Sequence, residues 1–155
     1  MPYYYAVNVQ GATSNGSANT ETDMLRTLTV ANQAPAQVKG LYGAMRSGTA
    51  GGAQLRARRF ATASTVGAAA TPDPRRPGQP AASLTAFTLP TAGATPTQVL
   101  SIGLAQTGGM GGWVALEPDH AIWLNPNGGA NGNLDILSIA NAASIGFDYT
   151  VEHSE

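Results

Sequence analysis

The stretch SIGFDYTVE, residues 144–152, alternates apolar and polar side chains along most of its length. One parity is apolar and consists of Ile145, Phe147, Tyr149 and Val151. The other parity is mainly polar and includes Ser144, Asp148, Thr150 and Glu152. Successive side chains of a β-strand point to opposite faces of the sheet, so a period of two indicates a strand with one buried face. We therefore predict that the apolar set of this strand faces a core.

Short β-prone runs, separated by clusters of Gly, Asn, Pro and Ser, fill much of the remaining chain. They lie at residues 3–9, 24–30, 37–44, 53–65, 98–104, 113–116, 120–124 and 134–139. Such clusters are typical of the turns between strands. The run 53–65 is also compatible with a helix, because Ala, Gln, Leu and Arg are good helix formers, but the following ATAST and the flanking glycines favour a strand. We expect an all-β chain with about eight antiparallel strands in a jelly-roll-like sandwich.

Residues 67–97 are rich in Pro, Ala and Thr and interrupt this pattern. Four prolines fall within TPDPRRPGQP, residues 71–80, and prolines at this density do not fit the interior of a sheet. We predict one β-sandwich domain over residues 1–155, with 67–97 as a long irregular loop or arm that contacts a neighbouring subunit. A linker between two small domains is the alternative, but each half would have fewer than ~80 residues and no disulfide or metal to stabilise it.

Charged residues make up only 11% of the 155 residues, and the net charge is −1. An ordinary soluble domain has ~25% charged residues, so this composition is typical of a surface that neighbouring proteins cover. The net charge provides no overall basic field for nucleic acid, and no apolar run reaches the ~18 residues of a membrane helix. The first ten residues, MPYYYAVNVQ, lack the positive flank and apolar centre of a secretory signal. We therefore expect neither nucleic acid nor a membrane as a partner.

Groups suited to catalysis or metal binding are scarce. The chain has no cysteine and two histidines, of which His120 follows Glu117-Pro118-Asp119 at a predicted turn and His153 lies in the final residues. The motif GGMGG, residues 108–112, lacks the G-K-[ST] ending of a phosphate-binding loop, and no G-x-S-x-G motif is present. We expect no enzymatic activity, no catalytic residues, no cofactor and no metal site.

Arginines and tyrosines are the candidates for protein contacts. Five of the eight basic residues lie within residues 56–76, and Arg is suited to bidentate contacts at interfaces. If 53–65 is a strand, Arg56 and Arg58 share one face and Arg59 lies on the opposite face. At least one ring of the three successive tyrosines is expected on the solvent face. The candidate interface residues are Tyr3, Tyr4, Tyr5, Arg56, Arg58, Arg59, Pro74, Arg75, Arg76 and Pro77.

Several stretches together resemble small virion structural proteins encoded by tailed bacteriophages. They are the tyrosine-rich start, QLRARRFATAST at 54–65, TPDPRRPGQP with AASLTAF at 71–87, GGMGGWVALEPDHAIWLNPNGG at 108–129, and IGFDYTVEHSE at 145–155. The resemblance covers most of the chain and concerns strands and turns, not a catalytic motif. It implies a decoration (cement) protein, β-rich and trimeric, which is made in the bacterial cytoplasm and stabilises the outside of the capsid shell. Its implied partners are the major capsid protein and further copies of the chain itself.

A head-fibre, tail or collar component that binds a receptor or glycan is the alternative function. Such a protein needs an exposed aromatic platform, for which Trp113 and Trp123 are the candidates. We expect both tryptophans in the core, which favours the capsid function.

Overall fold

The protein is described from a computed structural model, which covers residues 2–13, 21–30, 35–46, 52–62, 65, 67–88, 94–104, 110–125, 133–140 and 146–155. Within these ranges the chain forms twelve strands and one short 3-10 helix, Pro118–His120. The strands are β1 (Tyr4–Thr13), β2 (Glu21–Val30), β3 (Ala36–Met45), β4 (Ala53–Phe60), β5 (Ala69–Ala70), β6 (Asp73–Pro74), β7 (Leu84–Thr88), β8 (Pro96–Leu104), β9 (Met110–Val114), β10 (Ile122–Leu124), β11 (Leu134–Ala140) and β12 (Gly146–Ser154).

The strands form two six-stranded antiparallel sheets. Sheet A has the order β10-β3-β12-β1-β6, and β9 also pairs with β3. β10 pairs with residues 36–38 of β3 and β9 with residues 40–44, so they lie end to end along the edge of β3 that β12 leaves open. Sheet B has the order β5-β7-β2-β11-β4-β8. The all-β prediction is confirmed, whereas the jelly-roll connectivity stays a prediction.

The two sheets pack against each other through one continuous apolar cluster. Sheet A contributes Val38, Leu41, Phe147 and Val151, among others, and sheet B contributes Leu55, Leu134 and Ile136. The alternation predicted for residues 144–152 is confirmed over its described part, because Phe147, Tyr149 and Val151 are all buried. Ile145 lies outside the described residues.

Short strands lie within the described part of the proline-rich segment 67–97, which we predicted as a long irregular loop or arm. β5 pairs with β7 in sheet B, and β6 pairs with β1 in sheet A, so the segment contributes strands to both sheets. Pro74 is accommodated because β6 lies at the edge of sheet A, where a residue without an N–H donor breaks no interior ladder. The sequence pattern did not indicate these short strands, because pairing of two-residue strands depends on the edge that they meet and not on a local period. Contact of the segment with a neighbouring subunit stays a prediction.

Candidate functional site

Six of the ten predicted interface residues meet at the β6 edge of sheet A. We call this surface the Tyr–Arg patch, and it comprises Tyr3, Tyr4, Pro74, Arg75, Arg76 and Pro77. All six side chains are exposed, with Tyr3 at 47% and Tyr4 at 40%. The two segments are joined where the Arg75 N–H donates to the Tyr4 carbonyl at 2.9 Å. Long-range strand pairing therefore builds one surface from two segments that are seventy residues apart in the sequence.

The turn after β6 is fixed against β1. The Gln79 side-chain amide donates to the Tyr4 carbonyl at 2.9 Å, and Gly78 has a φ of +78°, a left-handed conformation that favours glycine. A cavity of about 350 Å³ separates the turn from the start of the chain, and its lining includes Tyr3, Arg76 and Pro77. The patch therefore combines a fixed backbone with a concave surface.

The two arginines of the patch differ in their partners. Arg75 forms an ion pair with Glu152 of β12, and the Tyr42 hydroxyl donates to the same carboxylate at 3.5 Å. Burial raises the pKa of Tyr42, and the Glu152 charge acts in the same direction, so this hydroxyl keeps its proton at neutral pH. Arg76 has no ion-pair partner among the described residues and is exposed. It is the arginine of the patch that is available to another molecule.

Tyr5 does not belong to this surface, which corrects the prediction for this residue. Its ring is buried and stacks on His153, with ring centroids 5.3 Å apart, and its hydroxyl donates to the Pro80 carbonyl at 3.1 Å. The strand period explains the difference, because Tyr5 shares the inward parity of β1 with Val7. Burial raises the pKa of Tyr5, and the nearby Glu155 carboxylate adds to this shift.

Behind the patch lies a polar cluster that we call the Glu155 cluster, comprising Tyr5, Ser83, His153 and Glu155. The Glu155 carboxylate accepts hydrogen bonds from the Ser83 N–H at 2.8 Å, the Ser83 hydroxyl at 2.7 Å and the Leu84 N–H at 2.8 Å. Its other contact is with His153 Nε2, at 3.3 Å. The cluster ties residues 83–84 to sheet A and thereby supports the patch from behind.

The Glu155 cluster brings together a serine, a histidine and a carboxylate, but in an order that differs from a catalytic triad. In a triad the histidine lies between the serine and the carboxylate, whereas here the carboxylate contacts both of the other groups. Burial lowers the pKa of His153, although Glu155 opposes this shift. Burial acts to raise the pKa of Glu155, but its hydrogen bonds with Leu84 and Ser83 outweigh that effect and the pKa is lowered. The arrangement suits a neutral imidazole beside a charged carboxylate.

Sequence reasoning assigned His153 to a terminal tail and did not consider Glu155. A signal was present, since His153 has the same parity as Phe147, Tyr149 and Val151, and the strand simply continues through it.

The predicted turn at residues 117–120 is confirmed as the 3-10 helix before β10. Among the described residues, no group of three or more His, Asp or Glu side chains is placed to hold a metal ion. No helix in the described ranges is long and apolar enough to span a membrane.

The arginines of β4 lie on both faces of sheet B, and none of them belongs to the Tyr–Arg patch. Arg56 donates to the Gln54 side chain at 3.0 and 3.2 Å, and Arg58 pairs in register with Asp135 of β11. Arg59 has the opposite parity and donates from Nη2 to the carbonyl of Trp123 in sheet A. The predicted strand and its division of the arginines agree with this geometry. The five arginines, however, are dispersed over several surfaces instead of forming one contact surface.

The two tryptophans lie at the other edge of sheet A, around the carbonyl that Arg59 binds. Trp123 is 45% exposed, so it is not a core residue as the sequence suggested, while Trp113 is half-buried and packs against the core cluster. A cleft of about 440 Å³ opens between this edge and sheet B. We call it the Trp cleft, and its lining comprises Arg59, Val99, Leu100, Trp113, His120, Ala121, Ile122 and Trp123.

Comparison of the chain with protein-family models, curated proteins and solved structures found no match. The resemblance to phage virion proteins therefore stays a prediction. The features of this chain that bear on its function are the Tyr–Arg patch, the Glu155 cluster and the Trp cleft.

Proposed function

We propose that this chain is a non-enzymatic structural protein of a phage particle, which binds the outside of the capsid shell and stabilises it. The observation that carries the proposal is the Tyr–Arg patch, where Tyr3, Tyr4 and Arg76 are exposed, Tyr3 and Arg76 line one cavity, and Arg76 has no ion-pair partner in the described part of the chain. Tyrosine and arginine are enriched at protein interfaces and dominate their binding energy. The patch therefore has the composition of a docking surface and not of an ordinary solvated edge.

The construction of the patch supports binding with little loss of entropy. Backbone and side-chain hydrogen bonds fix the turn at residues 75–79 to Tyr4, and the Glu155 cluster holds the segment that follows. A surface that is already ordered avoids the cost of ordering loops during association. Many weak contacts of this kind on a symmetric shell combine into a durable attachment.

The charge of the patch indicates the chemistry of its partner. Arg75 is neutralised by Glu152, whereas Arg76 carries a positive charge with no partner in the described part of the chain. An acidic group on the major capsid protein would complete this pair. We propose further copies of the same chain, arranged as a trimer, as the second partner.

Quantitative mass spectrometry of purified particles tests the location and copy number. We expect the chain to sediment with intact particles in hundreds of copies. Absence from particles would overturn the proposal, and a dozen copies or fewer would assign the chain to a collar, tail or fibre instead.

Two variants with the same change in charge test the role of the patch. Arg76→Gln removes one positive charge from the patch, and Gln98→Glu adds one negative charge on the exposed face of β8, the edge strand of sheet B. We expect Arg76→Gln to lower particle occupancy by about tenfold, because charged hydrogen bonds contribute about 1.5–3 kcal/mol. Gln98→Glu should leave occupancy unchanged. Equal occupancy for both variants would show that the patch is not the attachment surface.

A further inference from the structure

We propose that the Trp cleft is a binding site for the uronic acid residues of an acidic polysaccharide. This site goes beyond capsid attachment and is separate from the Tyr–Arg patch. The cleft lies beside β9 and β10, and the patch lies at β6, so the two occupy opposite edges of sheet A. Either site can therefore be tested without altering the other.

The shape and size of the Trp cleft suit a ring-bearing ligand. Its volume of about 440 Å³ falls within the range of natural ligand sites, which is roughly 300–1,000 Å³. Trp113 packs against the core and forms an apolar base, while the exposed Trp123 lies at the rim. Indole rings offer flat apolar area together with one N–H donor, and the apolar face of a sugar ring packs well on such a surface.

The polar side chains of the cleft lining are rich in donors and poor in acceptors. The guanidinium of Arg59, the two indole N–H groups and the imidazole of His120 supply donors. None of the lining side chains carries a carboxylate, hydroxyl or amide oxygen. Such a site favours a ligand that brings its own oxygen acceptors, as a saccharide does.

Arg59 supplies the charge that selects an acidic sugar. Its Nη2 donates to the Trp123 carbonyl, which fixes the guanidinium at the cleft, and no carboxylate pairs with it in the described part of the chain. Its Nε is shielded from solvent and has no hydrogen-bond partner among the described residues. A guanidinium held in this way is suited to binding a carboxylate. A uronic acid combines that carboxylate with the sugar ring that the indoles favour.

Intrinsic fluorescence of the full chain reports directly on this site, because both tryptophans of the sequence line the cleft. The titration uses oligogalacturonate, the same oligomer with its carboxylates methyl-esterified, and benzoate. We expect oligogalacturonate to change the emission with a saturable curve. The esterified oligomer should bind about tenfold more weakly, because it keeps the sugar ring but loses the charged hydrogen bond.

Three variants locate the binding site. Arg59→Gln should weaken oligogalacturonate binding by about tenfold, whereas Arg76→Gln makes the same change outside the cleft and should have no effect. Trp123→Ala should abolish most binding, measured by calorimetry, with a melting temperature that changes little because the side chain is 45% exposed and lies outside the core. Circular dichroism confirms that each variant is folded.

Four results would overturn the inference. They are absence of oligogalacturonate binding, equal binding of the esterified oligomer, equal affinities of Arg59→Gln and Arg76→Gln, and binding of benzoate as tightly as the oligosaccharide. The last result would identify the cleft as a site for small aromatic carboxylates. Particle occupancy of Arg59→Gln keeps the two proposals distinguishable, because loss of saccharide binding should leave attachment through the Tyr–Arg patch intact.

Discussion

His153 and Tyr5 stack across the β1–β12 pair, with ring centroids 5.3 Å apart and ring planes 19° from parallel. Both rings are buried, and the imidazole contacts Glu155 through Nε2 while its Nδ1 has no hydrogen-bond partner among the described residues. The stack therefore places a titratable group with incomplete hydrogen bonding in the part of the fold that supports the Tyr–Arg patch. The stability of this region should depend on pH.

We expect the free energy of unfolding to fall as the pH drops below about 6.5, the ordinary pKa of histidine. Burial lowers the pKa of His153 in the folded state, so the unfolded chain takes up a proton first and gains stability relative to the fold. The contribution of neutral His153 to the free energy of unfolding is complete above pH 6.5. It is lost as the pH falls toward the lowered pKa of His153 in the folded state. A second loss should begin below about 4.5, because the pKa of Glu155 is also lowered in the fold. Urea unfolding at pH 7.5, 6.5, 5.5, 4.5 and 3.5 measures both.

Two histidine variants separate this effect from other titrating groups. His153→Phe keeps an aromatic ring on Tyr5 and should remove the loss between pH 6.5 and 5.5. His120→Gln changes the exposed histidine and should keep that loss. The same pH slope in wild type and His153→Phe would contradict the assignment.

Glu155→Ala should destabilise the protein by about 2 kcal/mol, because it leaves two backbone N–H groups and one hydroxyl in the 83–84 segment without their acceptor. Glu117→Ala removes an exposed carboxylate before β10 and should change stability by less than about 0.5 kcal/mol. Chemical denaturation at pH 7.5 compares the two variants. Equal stabilities would mean that water replaces the Glu155 hydrogen bonds at little cost.

Gly111→Ala should cost more stability than Gly103→Ala. A Cβ on Gly111 would collide with the backbone carbonyl of Gly103 and lie 2.8 Å from a methyl group of Leu104, whereas a Cβ on Gly103 has no atom within 4 Å. Overpacking of this kind costs about 1–3 kcal/mol, and a backbone atom cannot move aside as a flexible side chain can. Denaturation midpoints measure the difference. A Gly103→Ala variant as unstable as Gly111→Ala would show that loss of glycine itself, and not the contact, is responsible.

Exposed apolar side chains on β9 and two residues beyond its end lead to a prediction about self-association. Met110 is 81% exposed and Leu116 is 87% exposed, and large apolar side chains that reach solvent in this way are typical of interfaces. We expect copies of the chain to associate through this edge, so Met110→Ser and Leu116→Ser should weaken the oligomer while changing monomer stability by less than about 0.5 kcal/mol. Sedimentation velocity over a concentration series measures the association. A wild-type chain that stays monomeric at every concentration would contradict the prediction.

The sequence by itself determined the strand class and the facing of side chains within strands. Phe147, Tyr149 and Val151 are buried as their alternation predicts, and Arg59 lies on the opposite face of β4 from Arg56 and Arg58. These predictions succeed because a period of two follows from the geometry of a single strand. The information is local and requires no knowledge of neighbouring elements.

Only the tertiary structure decided which segments meet. Pairing of β6 with β1 places Pro74 opposite Tyr5 and so assembles the Tyr–Arg patch from two distant parts of the chain. Strand pairing also buries His153 against Tyr5, although the sequence placed His153 in a terminal tail. Trp123 lies at a cleft, although the sequence placed it in the core. Strand partners are chosen by edges and surfaces that exist only after the sheets have formed, and no local period encodes that choice.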